Sequence, residues 1–245
     1  MYITYKELLK YLDFNYFYMK LAVLFSGGKD STFTVYKALK EGHQVRYLIS
    51  FVSENPASYM FHYPNISLTK IQAECMGIPI ITKKTKGEKE KELEDIKSVL
   101  KKIRDEIDGV GAGALASKYQ YDRVANICKE MGLQTYTPCW MQDQEEHLKE
   151  ILDAGFEVII TGVAAGGLGK EWLGRKLDWE ALEDLKKLKE KYNIHIGGEG
   201  GEYESLVLDC PLYKKKVEVK KSSINWDEKT HSGHLAIGDV KVVKK

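Results

Sequence analysis

A short polar turn, SGGKDS at residues 26–31, follows the apolar run LAVLF and precedes a segment with helical spacing. Its two glycines lack a Cβ atom, so the backbone can bend sharply and approach a ligand closely. The amides at the helix start have no partner within the helix, and the helix dipole adds partial positive charge there. With the ammonium of Lys29 and the hydroxyls of Ser26 and Ser31, the turn suits a polyphosphate, and Asp30 can cap the helix or help to place Mg²⁺.

Two other phosphate-binding patterns fit the sequence poorly. The Walker pattern G-x-x-x-x-G-K-[ST] fails at residues 169–171, where glutamate follows the lysine. A loose G-x-G-x-x-A at Gly111, Gly113 and Ala116 lacks the acidic residue expected about 20 positions further on. The SGGKDS turn is therefore the stronger candidate. Its alternative is a solvated turn whose glycines and serines merely suit the geometry.

Segments with the spacing of strands and helices alternate from Leu21 onward. Apolar runs predict strands, and amphipathic runs that end on glycine predict the helices between them. The predicted strands are 21–25, 45–52, 78–82 and 108–111, and the predicted helices are 30–41, 67–77, 87–107 and 118–132. This alternation predicts right-handed parallel crossovers and a doubly wound α/β sheet, whose ligands bind beyond the carboxyl ends of the strands.

Three polar residues begin the helix that follows the stretch GAGAL, namely Ser117, Tyr119 and Gln120. They project from the carboxyl end of a strand, so we expect them to face the same cleft as the SGGKDS turn. The alternative is a capping serine followed by ordinary surface residues.

Composition narrows the class of protein. The chain has 245 residues, of which 43% are hydrophobic, and its net charge of +1 is unlike that of a general nucleic-acid binder. No apolar run reaches the roughly 20 residues of a membrane span, and the N-terminus lacks the pattern of a secretion signal. The cysteines form no C-x-x-C pair, so we expect buried, reduced thiols in a cytoplasmic protein at Cys75, Cys128, Cys139 and Cys210.

The SGGKDS turn resembles the PP-loop signature of the ATP pyrophosphatases. These are Rossmann-like enzymes of the adenine-nucleotide α-hydrolase type, which cleave ATP to AMP and pyrophosphate while activating a substrate. Longer stretches resemble the diphthine-ammonia ligase family, and the most specific of them is GGEGGEYESLVLDCPLYKK at 197–215. The others are GAGALASKYQYDRVANICKEMGL at 111–133 and VAAGGLGKEWLGRKL at 163–177.

This resemblance implies an activity and its partners. A cytoplasmic ligase would use ATP and Mg²⁺ to adenylate the carboxylate of diphthine, a modified histidine on translation elongation factor 2. Ammonia, supplied as ammonium, would then displace AMP to give the amide of diphthamide. No membrane or nucleic-acid partner is implied, and the sequence leaves open whether the chain forms a homo-oligomer.

The pattern of strands and helices changes near Thr135, and this change divides the chain. We expect an N-terminal extension at 1–18, a Rossmann-like PP-loop domain that binds ATP at 19–135, and a smaller α+β domain that binds substrate at 136–245. The implied catalytic residues are Lys29, Asp30, Glu199 and Glu202. The implied ATP-binding residues are Ser26, Gly27, Gly28, Lys29, Asp30, Ser31, Gly111 and Gly113, with Asp30 as a ligand of Mg²⁺. The implied substrate-binding residues are Ser117, Tyr119, Gln120, Gly200, Gly201 and Glu204.

The hypothesis of an amidation site depends on the glutamates of GGEGGEYE. Glycine-rich backbone permits close approach of a substrate, and clustered carboxylates could bind ammonium, deprotonate it or coordinate a metal. We predict that Glu199 and Glu202 line the amidation site. The alternative is a glycine-rich hairpin with solvated glutamates.

Two other functions remain open from the sequence. One is a PP-loop enzyme that modifies tRNA, which the near-neutral charge and the missing cysteine pairs disfavour. The other is a sensor that binds an adenine nucleotide without turnover, which release of pyrophosphate would exclude.

Overall fold

The computed structural model describes residues 18–53, 65–87, 91–114 and 116–245, without the side chains of Lys91 and Gln120. The extension predicted at 1–18 therefore lies outside the described residues, apart from Tyr18.

The first sheet is parallel and has five strands. They are β1 (Lys20–Leu24), β2 (Gln44–Ser53), β3 (Ile80–Thr85), β4 (Gly109–Gly111) and β5 (Gln134–Tyr136). Their order is β3-β2-β1-β4-β5, and β1 pairs in parallel with both β2 and β4. The winding direction thus reverses between β1 and β4, which is the switch point where ligands of such sheets bind. The predicted doubly wound, Rossmann-like sheet is confirmed.

Four helices connect these strands, and each follows its sequence pattern. They are α1 (Lys29–Lys40), α2 (Thr69–Met76), α3 (Lys91–Ile103) and α4 (Lys118–Met131). Helix α2 ends at Gly77 in the left-handed conformation, which glycine adopts without a steric penalty. Helix α3 buries one stripe, at Ile96, Leu100 and Ile103, whereas its Glu94, Lys101 and Lys102 are exposed. Short 3₁₀ turns precede α2 (Asn65–Leu68) and follow α3 (Arg104–Glu106).

The second sheet is antiparallel and has four strands. They are β6 (Glu157–Val163), β7 (Tyr203–Asp209), β8 (Lys215–Asp227) and β9 (Ser232–Lys244), in the order β7-β6-β9-β8. Two helices, α5 (Gln144–Asp153) and α6 (Trp179–Tyr192), accompany this sheet, with a 3₁₀ turn at Lys170–Trp172. The predicted α+β character of the C-terminal region is confirmed.

One apolar core joins the two sheets. Side chains from the parallel sheet and its first helix share a cluster with side chains from α5, β6 and α6. Its members from the two halves include Leu21, Val23, Phe33, Leu148, Ile160 and Leu182. A continuous core of this kind holds α5, β6 and α6 firmly against one face of the first sheet. The boundary predicted between 135 and 136 stays a prediction, and this core extends across it.

Two expectations from composition concern the cysteines and membrane-spanning helices. The four cysteines are buried free thiols. None of the described helices is long and apolar enough to cross a membrane.

We predict that Gly111→Ala destabilises the protein. An added Cβ would lie 2.9 Å from Cγ2 of Val23 and 3.4 Å from Cγ2 of Thr34, in a tightly packed part of the parallel sheet. Overpacking of this kind lowers the free energy of unfolding by about 1–3 kcal/mol, measurable by urea denaturation. The control is Gly238→Ala, whose Cβ would meet nothing nearer than 3.8 Å. Equal stability of the two variants would contradict this account of β4.

Candidate active site

The SGGKDS turn lies at the carboxyl end of β1 and is shaped by its own backbone and hydroxyls. Gly27 has φ +80°, and Gly28 is the N-cap of α1. The Ser31 hydroxyl accepts from the Ser26 amide at 3.3 Å and donates to the Gly28 carbonyl at 3.2 Å. The Thr32 hydroxyl donates to the same carbonyl at 2.8 Å. The glycine predicted for a sharp bend therefore takes the left-handed conformation that the bend requires.

Residues far along the chain brace this turn. The Gly27 carbonyl accepts from the Val207 amide at 3.0 Å and from Nε2 of Gln72 at 2.8 Å. The Lys29 amide donates to Oγ of Ser205 at 3.1 Å. The turn is thus held between α2 and β7 and is pre-organised before any ligand arrives.

The Lys29 ammonium is buried, with only 2% of the residue exposed. Its Nζ donates to Oδ2 of Asp30 at 2.7 Å and to the Gly197 carbonyl at 2.6 Å, and it lies 5.1 Å from the Tyr203 ring centroid. Burial lowers the pKa of Lys29, but attraction to Asp30, with smaller contributions from Tyr203 and Glu199, outweighs it and raises the pKa above its ordinary value. The ammonium is therefore charged at neutral pH.

Both carboxylate oxygens of Asp30 have partners. Oδ2 accepts from Lys29, and Oδ1 lies 2.8 Å from Nε2 of His147, which is fully buried on α5. Burial raises the pKa of Asp30, but Lys29 and His147 outweigh it and hold the pKa well below its usual range. Each oxygen keeps a second lone pair beside its hydrogen bond, so binding of Mg²⁺ by Asp30 stays a prediction. Among the described residues, no three His, Cys, Asp or Glu side chains are grouped to hold a metal ion.

The start of α1 has backbone amides that are suited to bind an anion. Helix geometry leaves the amides of Asp30 and Ser31 without an acceptor inside the helix. Gly113 lies directly against them, since an added Cβ would come within 2.8 Å of the Asp30 carbonyl carbon and the Ser31 nitrogen. Gly113 and Gly111 thus let β4 and its following loop pack beside the turn, and a contact of either glycine with ATP stays a prediction.

The glycine-rich segment between α6 and β7 gives two glutamates different contacts. Glu202 accepts from the His195 amide at 2.9 Å and from the Gly200 amide at 2.8 Å, so it holds the segment in shape. Glu199 accepts from the Ser117 amide at 3.1 Å through Oε2. This hydrogen bond links the glycine-rich segment to the loop after β4, at the switch point of the sheet. The predicted catalytic roles of both glutamates stay predictions.

Other predicted substrate-binding residues lie apart from the turn. Adjacent residues of a strand point to opposite faces, so Ser205 reaches the turn while Glu204 faces away from it. Glu204 and Gly201 line a cavity of about 220 Å³ together with Thr161, Ser232 and His234.

Two predicted residues at the start of α4 have other surroundings. The ring of Tyr119 lies under the Arg123 guanidinium, whose carbon is 3.6 Å from the ring centroid. The prediction for Gln120 concerns a side chain outside those described.

Four residues of the site were not predicted from the sequence. Gln72, His147, Tyr203 and Ser205 contact the turn from elements that follow it by 45 residues or more. Their neighbours in sequence are ordinary core residues such as Leu148 and Val207. Only Tyr203 and Ser205 lie in a stretch that the sequence singles out.

Fold and site together define a class. A turn whose lysine and helix-start amides suit an anion, placed at the switch point of a 3-2-1-4-5 parallel sheet, is typical of Rossmann-like, nucleotide-binding folds.

Comparison with known proteins identifies the family. The family model of the diphthamide synthase N-terminal domain matches residues 19–135, and that of the C-terminal domain matches residues 143–243. Diphthine–ammonia ligase of Rattus norvegicus is 37% identical over 225 residues, which are 83% of this chain and 84% of the relative. The Homo sapiens ligase is 35% identical over 227 residues, 84% of this chain and 85% of the relative. The chain belongs to the diphthamide synthase family.

One solved structure matches the chain at low similarity. A chain of Methanocaldococcus jannaschii, described as a predicted subunit of tRNA methyltransferase, is 18% identical with a TM-score of 0.45. The match covers 79% of this chain and 98% of that one. The family matches favour the ligase over the tRNA-modifying and sensor alternatives.

We predict that Asp30→Asn lowers the free energy of unfolding at neutral pH by about 3 kcal/mol, because it leaves a buried ammonium without its carboxylate. The pKa of Asp30 is lowered in the fold, so its stabilisation is present above the unfolded pKa of about 3.9 and is lost as the pH falls below it. The difference in free energy of unfolding between native protein and variant should therefore become smaller below about pH 4.

Urea unfolding across this pH range measures the gap. Asp105→Asn, at an exposed position, is the control and should show no such gap. A gap that stays constant down to about pH 3 would contradict the assigned coupling of Asp30 to Lys29 and His147.

Proposed function

We propose that this chain amidates the diphthine carboxylate of translation elongation factor 2 with ammonium, and that it cleaves ATP to AMP and pyrophosphate. One observation carries the proposal: the buried, charged Lys29 ammonium lies in a braced turn beside the glycine-rich segment that holds Glu199. The family's curated relatives are named for the same two substrates, diphthine and ammonia.

The chemistry needs two displacements. A carboxylate is a poor acyl donor, so one of its oxygens first attacks the α-phosphorus of ATP and pyrophosphate leaves. The nitrogen of ammonia then attacks the acyl carbon, and AMP leaves with the electrons of the broken C–O bond. Negative charge is concentrated on the triphosphate in the first displacement. The Lys29 ammonium and the amides of Asp30 and Ser31 are the groups we assign to stabilise it.

The second displacement needs ammonia rather than ammonium. We assign Glu199 to bind ammonium and accept its proton, because the Ser117 amide holds its carboxylate at the switch point, beside the loop after β4. Glu202 supports this role by holding the segment through the amides of His195 and Gly200. Ser117 completes the arrangement through its backbone contact with Glu199.

The remaining assignments follow from the same reaction. We propose that Mg²⁺ enters as a complex with ATP, since no three His, Cys, Asp or Glu side chains among the described residues are grouped to hold it alone. Residues 19–135 would bind ATP, and 136–245 would supply the surface for the protein substrate. Action on a translation factor would occur in the cytoplasm.

We predict that Lys29→Met lowers pyrophosphate release by about a hundredfold or more, because it removes the charge that stabilises the triphosphate. Pyrophosphate and AMP are measured with ATP and Mg²⁺, with and without ammonium and diphthine-bearing elongation factor 2. Lys40→Met, at an exposed position on the same helix, is the matched control and should keep native activity. Native protein that binds ATP but never releases pyrophosphate would overturn the ligase assignment.

We also predict that Glu199→Gln separates the two displacements. The KM for ammonium should rise about tenfold, because the amide cannot take the proton, while adenylation measured by pyrophosphate exchange into ATP should stay within about threefold of native. Glu190→Gln, exposed on α6, should behave as native protein. Unchanged ammonium dependence in Glu199→Gln would remove this residue from the amidation site.

A further inference from the structure

Histidine is an unusual residue for a fully buried position such as 147. It lies on α5 beside the core residues Leu148 and Ile151, all three are fully buried, and its ring makes an edge contact with Phe33 at 5.5 Å between centroids. Its Nδ1 is buried without a hydrogen-bond partner in the described structure. A buried polar atom without a partner is unfavourable, so an apolar side chain would suit this packing better. The imidazole must therefore do something that an apolar side chain cannot.

Among the described residues, the imidazole has one hydrogen-bond partner, Asp30. Nε2 of His147 lies 2.8 Å from Oδ1, and the Asp30 carboxylate is ionised, so it can only accept. Nε2 therefore carries the hydrogen of this bond. A carboxylate held by donors on both oxygens cannot rotate about its Cβ–Cγ bond, whereas a carboxylate held on one oxygen can.

The geometry points to His147 as a positioning residue for the triphosphate site. His147 holds Oδ1 of the Asp30 carboxylate. The other oxygen, Oδ2, holds Nζ of Lys29 at 2.7 Å. His147 thus acts on the ligand through two intervening side chains and contacts no phosphate itself. This inference rests on the proposed binding of ATP at the turn.

The test uses an ATP analogue with a methylene bridge between the α- and β-phosphates, titrated with Mg²⁺ into the full chain. Gln presents an amide nitrogen near the place of Nε2 of histidine, whereas Asn is too short to reach it. His147→Gln should bind the analogue within about threefold of native protein, and His147→Asn and His147→Leu should bind it about tenfold more weakly. The Asn and Gln variants differ in reach and not in chemistry, which keeps the comparison valid if the Leu variant does not fold.

Two controls separate positioning from loss of structure. Ile151→Val destabilises the same helix by about 1 kcal/mol without touching Asp30, and it should leave binding of the analogue unchanged. In an Asp30→Asn background, His147→Asn should have no further effect on binding, since its route to Lys29 is already broken.

The outcomes decide clearly. Analogue binding that is equally weak in His147→Gln and His147→Asn would overturn the inference, as would a loss of affinity in Ile151→Val. Native affinity in His147→Asn would overturn it too. Failure of the native protein itself to bind the analogue would instead refute the proposed function.

Discussion

The structure depends on the burial of one positive charge, the ammonium of Lys29. A buried charge without a partner is strongly destabilising, so the fold must bring acceptors to it. The adjacent residue supplies the Asp30 carboxylate, but the Gly197 carbonyl comes from 168 residues further along the chain. The turn that suits a polyphosphate is therefore complete only when the second sheet is in place.

This requirement explains why the two sheets share a core. Val207 and Ser205 bind the backbone of the turn from β7, and Gln72 links the Gly27 and Val207 carbonyls through one amide nitrogen. If the sheets moved independently, these bonds would break together and Lys29 would lose its acceptor. The apolar cluster between them keeps the turn rigid, which suits the electrostatic stabilisation that we propose for it.

The sequence predicts the local features of the site and not its long-range contacts. The spacing of apolar residues locates β1, α1 and the turn between them, and Gly27 indeed takes a positive φ. His147 could not be found in this way, because it contacts Asp30 across 117 residues and lies in a helix whose pattern is that of ordinary core packing. Periodicity reports which face of an element is buried, but not which buried residue meets a charge.

The glutamates of one short motif show how far backbone geometry divides similar residues. Both carboxylate oxygens of Glu202 accept hydrogen bonds from amides of its own segment, whereas Glu199 accepts one from the loop after β4. Glu204 lines a separate cavity, because neighbouring residues of a strand point to opposite faces and Ser205 points to the turn. Three carboxylates within six residues thus have three surroundings. A motif of this kind works by its folded backbone, so the chemistry of each carboxylate follows from the contact that fixes it and not from its place in the sequence.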